Sequence, residues 1–235
     1  MNFFINQICN LVLNMKNLCT ILMILFFLSS YSQNSIDTSY RPKTYSVQVK
    51  QFRTYPNSKN DIIFLGNSIT ARAQWNELLQ LPMAKNRGIS GDTTFGILER
   101  LDEITEGQPS KIFLLIGIND ISRNFPDDQI LKNYREIISR IQDESSETKI
   151  YIETILPVNK SFNVYKRHYN KDEHILYIND ELRKMASEMA VILIDIYPVF
   201  LDAQNRLEAK FTDEGLHLNE KGYLKWAKIL KPYLE

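Results

Sequence analysis

The sequence predicts an α/β fold, a parallel sheet with helices on both faces, and three observations lead to it. Short apolar runs rich in β-branched and aromatic residues recur along the chain, as expected of strands buried on both faces. Stretches with helical periodicity separate them, and strand alternating with helix implies parallel crossover connections. No internal repeat, low-complexity tract or Pro/Gly-rich linker follows Asn60, so a single domain is expected from there on.

The chain opens with a segment that reads as an address. Leu18 to Leu28 (LCTILMILFFL) is apolar and about as long as a signal-peptide core, with Lys16 before it and Ser29-Ser30-Tyr31-Ser32 after it. A bilayer span needs about 20 apolar residues, so residues 1–32 are expected to be a cleaved export signal and the protein periplasmic or secreted. Met15-Lys16-Asn17 is the conventional opening of such a signal, which makes Met15 the expected start of translation. The competing reading is a membrane anchor lengthened by Ile8 and Leu11 to Leu13. Cleavage near Ser32 or Gln33 removes Cys9, Cys19 and Lys16, leaving a thiol-free chain with one basic residue fewer than its 28 acidic ones.

Residues 33–60 are polar and tyrosine-rich, a lead-in with one short helix; Val47, Val49 and Phe52 are too sparse to mark a core element. Residues 61–235 hold the regular structure. Strands are expected at Asp61–Leu65, at the shorter run Met83–Arg87, and at Lys111–Ile116, Lys149–Glu153 and Val191–Asp195. Helices are expected at Thr70–Leu79, Phe95–Ile104, Asp127–Gln142, Glu173–Met189 and Asn219–Leu230.

Composition excludes several classes of function. The 235 residues are 44% hydrophobic and 24% charged, ordinary values for a folded domain. A formal net charge of zero argues against binding nucleic acid or an anionic membrane, both of which work by neutralising phosphates. Two cysteines cannot form a four-thiolate zinc site, and His168, His174 and His217 are the only histidines, so neither metal nor cofactor is expected.

In parallel sheets the working residues gather beyond the carboxyl ends of the strands. Four such places stand out. Gly66-Asn67-Ser68-Ile69-Thr70 puts Ser68 on a strand-to-helix turn, a position that suits either a nucleophile or a helix cap. Gly88-Ile89-Ser90-Gly91-Asp92-Thr93-Thr94 follows the second strand and its glycines permit close backbone approach to a ligand, although alone it is a turn. Gly117-Ile118-Asn119-Asp120 places Asn119 either to aim an amide into the crevice or to close an Asx-turn. The segment Phe211 to Tyr223 carries His217, with Asp213 and Glu214 just upstream. A serine attacks esters when a base takes its proton, and a histidine does so near neutral pH if a third group holds its ring. His168 and His174 lie in a charged stretch (YKRHYNKDEH) and are expected on the solvated surface.

Together GNSIT, GISGDTT, GIND and TDEGLHLNEKGY, in this order and spacing, resemble the four blocks of the SGNH hydrolase superfamily, also called GDSL-type lipases and esterases. The likeness runs from Asp61 to about Leu230. It implies a three-layer α/β/α, flavodoxin-like fold with about five parallel strands and metal-free hydrolysis of esters by a serine. On that resemblance Ser68 is the nucleophile, His217 the general base, and the backbone N–H groups of Ser68 and Gly91 with the Asn119 amide form the oxyanion hole. Two positions depart from the pattern. Asn67 stands where the family has Asp, and the family's acid, an Asp three residues before the histidine, falls on Glu214. Glu is a methylene longer, so the turn must shift for it to reach the ring; Asp213 and a backbone carbonyl are the alternatives. The wording of GISGDTT, of LPVN (Leu156 to Asn159) and of DEGLHLNEKGY resembles the branch of platelet-activating-factor acetylhydrolase-like enzymes and carbohydrate O-acetylesterases. The implied substrate is a small-molecule or glycan ester with a short, acetyl-sized acyl group. Lysophospholipase or thioesterase activity, or a non-catalytic carbohydrate-binding role, are the alternatives. Phe162, Tyr165 and Tyr169, in the loop Lys160 to Lys171, are candidates for stacking on a sugar.

Overall fold

Five strands form one parallel sheet in the order β2-β1-β3-β4-β5: β1 Ile62–Gly66, β2 Ala84–Gly88, β3 Lys111–Leu115, β4 Lys149–Glu153 and β5 Ile192–Ile194. The computed structural model describes residues 37–234, so the expected export signal over residues 1–32 lies outside the described residues. Strand order runs outward in both directions from β1 and β3, and the crevice above this central pair is where such a sheet offers room for a ligand. The fold is the α/β sandwich the sequence predicts, with helices around a sheet of five strands.

Register determines how the sheet packs. Phe64, Phe113 and Tyr151 are aligned neighbours on β1, β3 and β4, and their rings stack in a row at 5.0 and 4.5 Å between centroids. Trp75 extends the row over Phe64 at 4.0 Å, and Trp226 meets Trp75 edge-on at 4.8 Å. Such rings gain offset and edge contacts beyond the area they bury. Because side chains alternate along a strand, Ile63, Leu65, Ile112, Leu114, Ile150 and Ile152 form the other face, which is aliphatic and buried.

The helices are α1 Tyr45–Thr54, α2 Ser68–Ala71, α3 Trp75–Leu78, α4 Thr94–Glu99, α5 Asp102–Thr105, α6 Ile118–Ser122, α7 Asp127–Glu144, α8 Asp172–Glu188 and α9 Glu220–Leu230. The two long ones, α7 and α8, bury an apolar stripe such as Ile130, Tyr134, Ile137 and Ile141 at helical spacing. Three departures from the sequence expectation have local causes. The helix expected over Thr70–Leu79 breaks into α2 and α3 because Gln74 leaves helical geometry (φ −88°, ψ 80°) while the Trp75 indole bonds to Thr70 O at 3.0 Å. The helix expected over Phe95–Ile104 breaks at Arg100, whose guanidinium is drawn into the core. In the lead-in, α1 does carry a core stripe: Tyr45, Val49 and Phe52 pack on Ile89, while Val47 faces solvent.

Arg100 is fully buried and binds Asp92 and Glu103, each at 3.1 Å, and donates to Arg87 O at 2.8 Å. Arg87 closes the network through Glu103 at 3.1 Å. Burial pushes the Asp92 and Glu103 carboxyls up and the arginines pull them back. Removing one member strands a charge in the interior at a cost of about 3–5 kcal/mol. The network sits under the turn that follows β2 and holds Asp92 in place.

Candidate active site

Ser68 follows β1 and opens α2. Asn67 before it (φ −101°, ψ −150°) accepts the Ile69 N–H on its own Oδ1 at 2.9 Å. Asn thus makes the local turn bond, and the Ser68 N–H is left at a helix-start position that has no intrahelical acceptor. Ser68 Oγ lies 2.8 Å from His217 Nε2.

His217 stands on the turn before α9. Its Nδ1 is hydrogen-bonded to Glu214 Oε1, and the same oxygen accepts the His217 backbone N–H at 2.7 Å. The extra methylene of Glu214 is absorbed by this fold-back onto the turn. Asp213 is exposed and meets Asn219 Nδ2 at 3.3 Å instead, so Glu214 is the carboxylate at the ring. A carboxylate at Nδ1 keeps the proton there and leaves Nε2 free to accept from the serine hydroxyl. Gly215 permits the turn: it has φ +86°, and a Cβ there would stand 2.2 Å from Asn159 O. Asn159, the last residue of LPVN, donates its N–H to Gly215 O at 2.8 Å and fastens the histidine turn to the segment after β4.

Burial, and then Arg72, hold His217 below the ordinary imidazole value against the pull of Glu214. Arg72 Nη1 lies 3.7 Å from Glu214 Oε2. Burial alone would raise Glu214, but the His217 N–H, the Tyr165 hydroxyl and the imidazole together keep it below the usual carboxylate range.

The remaining expected residues approach from the other side. Asn119, on α6, donates Nδ2 to Asp92 O at 2.9 Å, which leaves its second amide N–H uncommitted. Gly91 has φ +83°, with Pro42 and Tyr40 packed where a side chain would project. Asp120, beside Asn119, accepts from Thr94 N at 3.0 Å and Thr94 Oγ1 at 2.6 Å, which ties the turns after β2 and β3 together. Burial pushes the Asp120 carboxyl up to about 7 against these bonds. A hydroxyl paired with a carboxylate-backed imidazole, facing an uncommitted amide, is suited chemically to acyl transfer.

Residues 64–225 match the profile of the GDSL-like lipase/acylhydrolase family. The chain belongs to this family. As a GDSL-like acylhydrolase of the SGNH type it is a carboxylic ester hydrolase. It is similar to platelet-activating factor acetylhydrolase IB subunit alpha2 of Rattus norvegicus, 29% identical over 74% of this chain and 75% of that one. It is also similar to thioesterase 1/protease 1/lysophospholipase L1 of Escherichia coli (strain K12), 28% identical over 68% and 73% of the two chains. A solved structure from Streptococcus pneumonia, whose description names platelet activating factor, is 29% identical with a TM-score of 0.75 and covers 91% of this chain and 99% of its own.

The candidate site also contains a residue that the sequence places at the surface. His168 was expected at the solvated surface; it is buried, and its Nε2 lies 3.4 Å from Asn119 Oδ1. Burial, with Arg167 and His217 nearby, pushes its imidazole down to about 4, so it is neutral beside the amide. His174 is exposed as expected and pairs with Asp127 at 2.8 Å. Tyr165, considered above for sugar stacking, has its ring edge-on to His217 at 5.1 Å, and its hydroxyl helps to hold the Glu214 carboxyl down. The available signal was position: Tyr165 and His168 lie three apart in the loop that follows β4, beyond the carboxyl end of an interior strand.

Proposed function

We propose that the protein is an exported serine esterase that removes short acyl groups, acetyl foremost, from carbohydrate hydroxyls. The hydrogen-bonded line Ser68–His217–Glu214 carries this reading. In the proposed cycle Ser68 Oγ attacks the ester carbonyl as its proton passes to His217 Nε2. The oxyanion forms toward the N–H groups of Ser68 and Gly91 and the free amide N–H of Asn119. The intermediate then collapses, the leaving alcohol takes the proton from His217, and the acyl group stays on Ser68. Water, deprotonated by His217, attacks this acyl-serine and releases the acid.

Support for a short acyl group comes from the surroundings. Arg72, Tyr165, His168 and Tyr40 gather near the nucleophile and the oxyanion side, polar company for an acetyl ester of a hydroxylated alcohol rather than for a long hydrocarbon. Export rests on the apolar stretch Leu18 to Leu28 behind Lys16. A lysophospholipase or thioesterase is the second reading, favoured by the likeness to the Escherichia coli enzyme of that name. A p-nitrophenyl ester series from acetate to palmitate, run beside acetate release from acetylated sugars, separates the two. Activity falling with chain length supports the first reading and a maximum at long chains overturns it. An intact Met1 or Met15 on material recovered outside the cytoplasm overturns cleavage.

A further inference from the structure

Arg123 ends the turn that carries Asn119. Its N–H donates to Asn119 O at 3.1 Å, so it lies one helical turn beyond the oxyanion amide. Its guanidinium carbon sits 3.0 Å over the ring of Tyr40, and the Tyr40 hydroxyl lies 3.5 Å from where a Gly91 side chain would begin. Arg123 is also close enough to His168 to lower its basicity. Arg123 is thus tied to both expected oxyanion loops, to that of Asn119 through its backbone and to that of Gly91 through Tyr40. Among the described residues it has no carboxylate partner, and its Nε is buried without a hydrogen-bond acceptor. Asp120 and Asp127, the nearest acids in sequence, are taken by Thr94 and His174. An arginine held flat by an aromatic ring, with its fork unmatched, is built to receive a carboxylate or phosphate.

A second observation has the same sign. The loop Lys160 to Lys171 (KSFNVYKRHYNK), which brings Tyr165 and His168 to the site, carries Lys160, Lys166, Arg167 and Lys171 and no acid, in a chain whose formal net charge is zero. Lys171 Nζ donates to Asn124 Oδ1 at 2.5 Å, which fastens the end of this cationic loop beside Arg123. Cations collected along one wall of a site raise the local concentration of anionic substrates.

We propose that Arg123 is a specificity-determining residue that receives an anionic group, carboxylate or phosphate, on the ester substrate; the proposal rests on the esterase reading of the Ser68 site. The substrate class is then an acylated acidic sugar or an acylated phosphorylated alcohol. The test compares methyl 4-acetoxybenzoate, 4-acetoxybenzoate and 4-acetoxyphenyl phosphate, esters of one acyl group that differ in charge. The anions are expected to exceed the neutral ester in kcat/KM by about tenfold or more at low salt. In Arg123→Gln that ratio is expected to collapse toward one, while Arg123→Lys keeps part of it. The better of the two anions identifies the source. Equal rates on charged and neutral esters, or a ratio unchanged in Arg123→Gln, overturn the proposal. Calorimetric titration of Ser68→Ala with the same three compounds reads binding without turnover. Hydrolysis without charge preference sinks this inference and spares the esterase. Preferential binding of the anions with no hydrolysis by the wild type does the reverse.

Discussion

The two sides of the site are held in different ways. The turns after β1, β2 and β3, which carry Ser68, Gly91 and Asn119, rest on buried polar bonds: Arg100 with Asp92 and Glu103, and Asp120 with Thr94. The side formed after β4 and before α9, which carries Tyr165, His168, Glu214 and His217, is held by longer contacts such as Arg72 to Glu214 at 3.7 Å, part-exposed, and His168 to Asn119 at 3.4 Å. In the proposed mechanism the first side meets the developing negative charge and the second moves the proton. The difference teaches that preorganisation is concentrated where charge appears. Donors fixed in advance lower the barrier there, whereas a base and its acid can adjust through one shared hydrogen bond.

The comparison breaks most directly at the seam. Ser68→Ala is expected to lose more than about 10⁴-fold in kcat and to abolish the acyl-enzyme burst in stopped-flow traces. On the proton side, Glu214→Gln is expected to lose about 10³-fold in kcat, with Asp213→Asn close to wild type; an unaffected Glu214→Gln enzyme overturns the assignment of the acid. On the charge side, Asn119→Ala is expected to cost about 10²–10³-fold in kcat with KM little changed.

The contrast extends below the surface to buried carboxyls. Glu153, at the end of β4, has the Trp226 indole as its hydrogen-bond donor at 2.5 Å, and burial pushes it up to about 8 against that bond. The unfolded chain ionises this group from about pH 4.5 while the folded one holds its proton to about 8, so its contribution to stability is full at low pH and is lost as pH rises through that window. Glu153→Gln keeps the acceptor for the indole and should remove the slope. Denaturant titrations should show the variant gaining on the wild type by on the order of 2–3 kcal/mol between pH 5 and pH 7. The smallest effect concerns the base. The acid limb of kcat/KM should titrate below 6.5, and in Arg72→Ala it should move to higher pH, because that cation helps to depress His217.

The strands and the four loop blocks were legible because each depends on a local pattern. Four apolar runs and the shorter stretch Met83–Arg87 became five strands within a residue or two, and Ser68 and His217, 149 positions apart, meet because both follow from strand-end and helix-start chemistry. Helix continuity was not legible. Periodicity marks which residues are buried, and Arg100 is buried as a charge inside a network whose other members come from β2, the following turn and α5. His168 escaped for a related reason. Its neighbours Lys166 and Arg167 are exposed, so the segment reads as surface, whereas the short helical turn at Lys166–His168 directs one side chain inward.

The meeting of Trp75 with Trp226 has an optical consequence. These are the chain's two tryptophans, so its indole emission comes from one spot, where α9 docks on the aromatic face of the sheet. Fluorescence during denaturation therefore times the undocking of the carboxyl-terminal helix. Opening of the Tyr165–His168 loop would pass without a signal unless an indole were placed there.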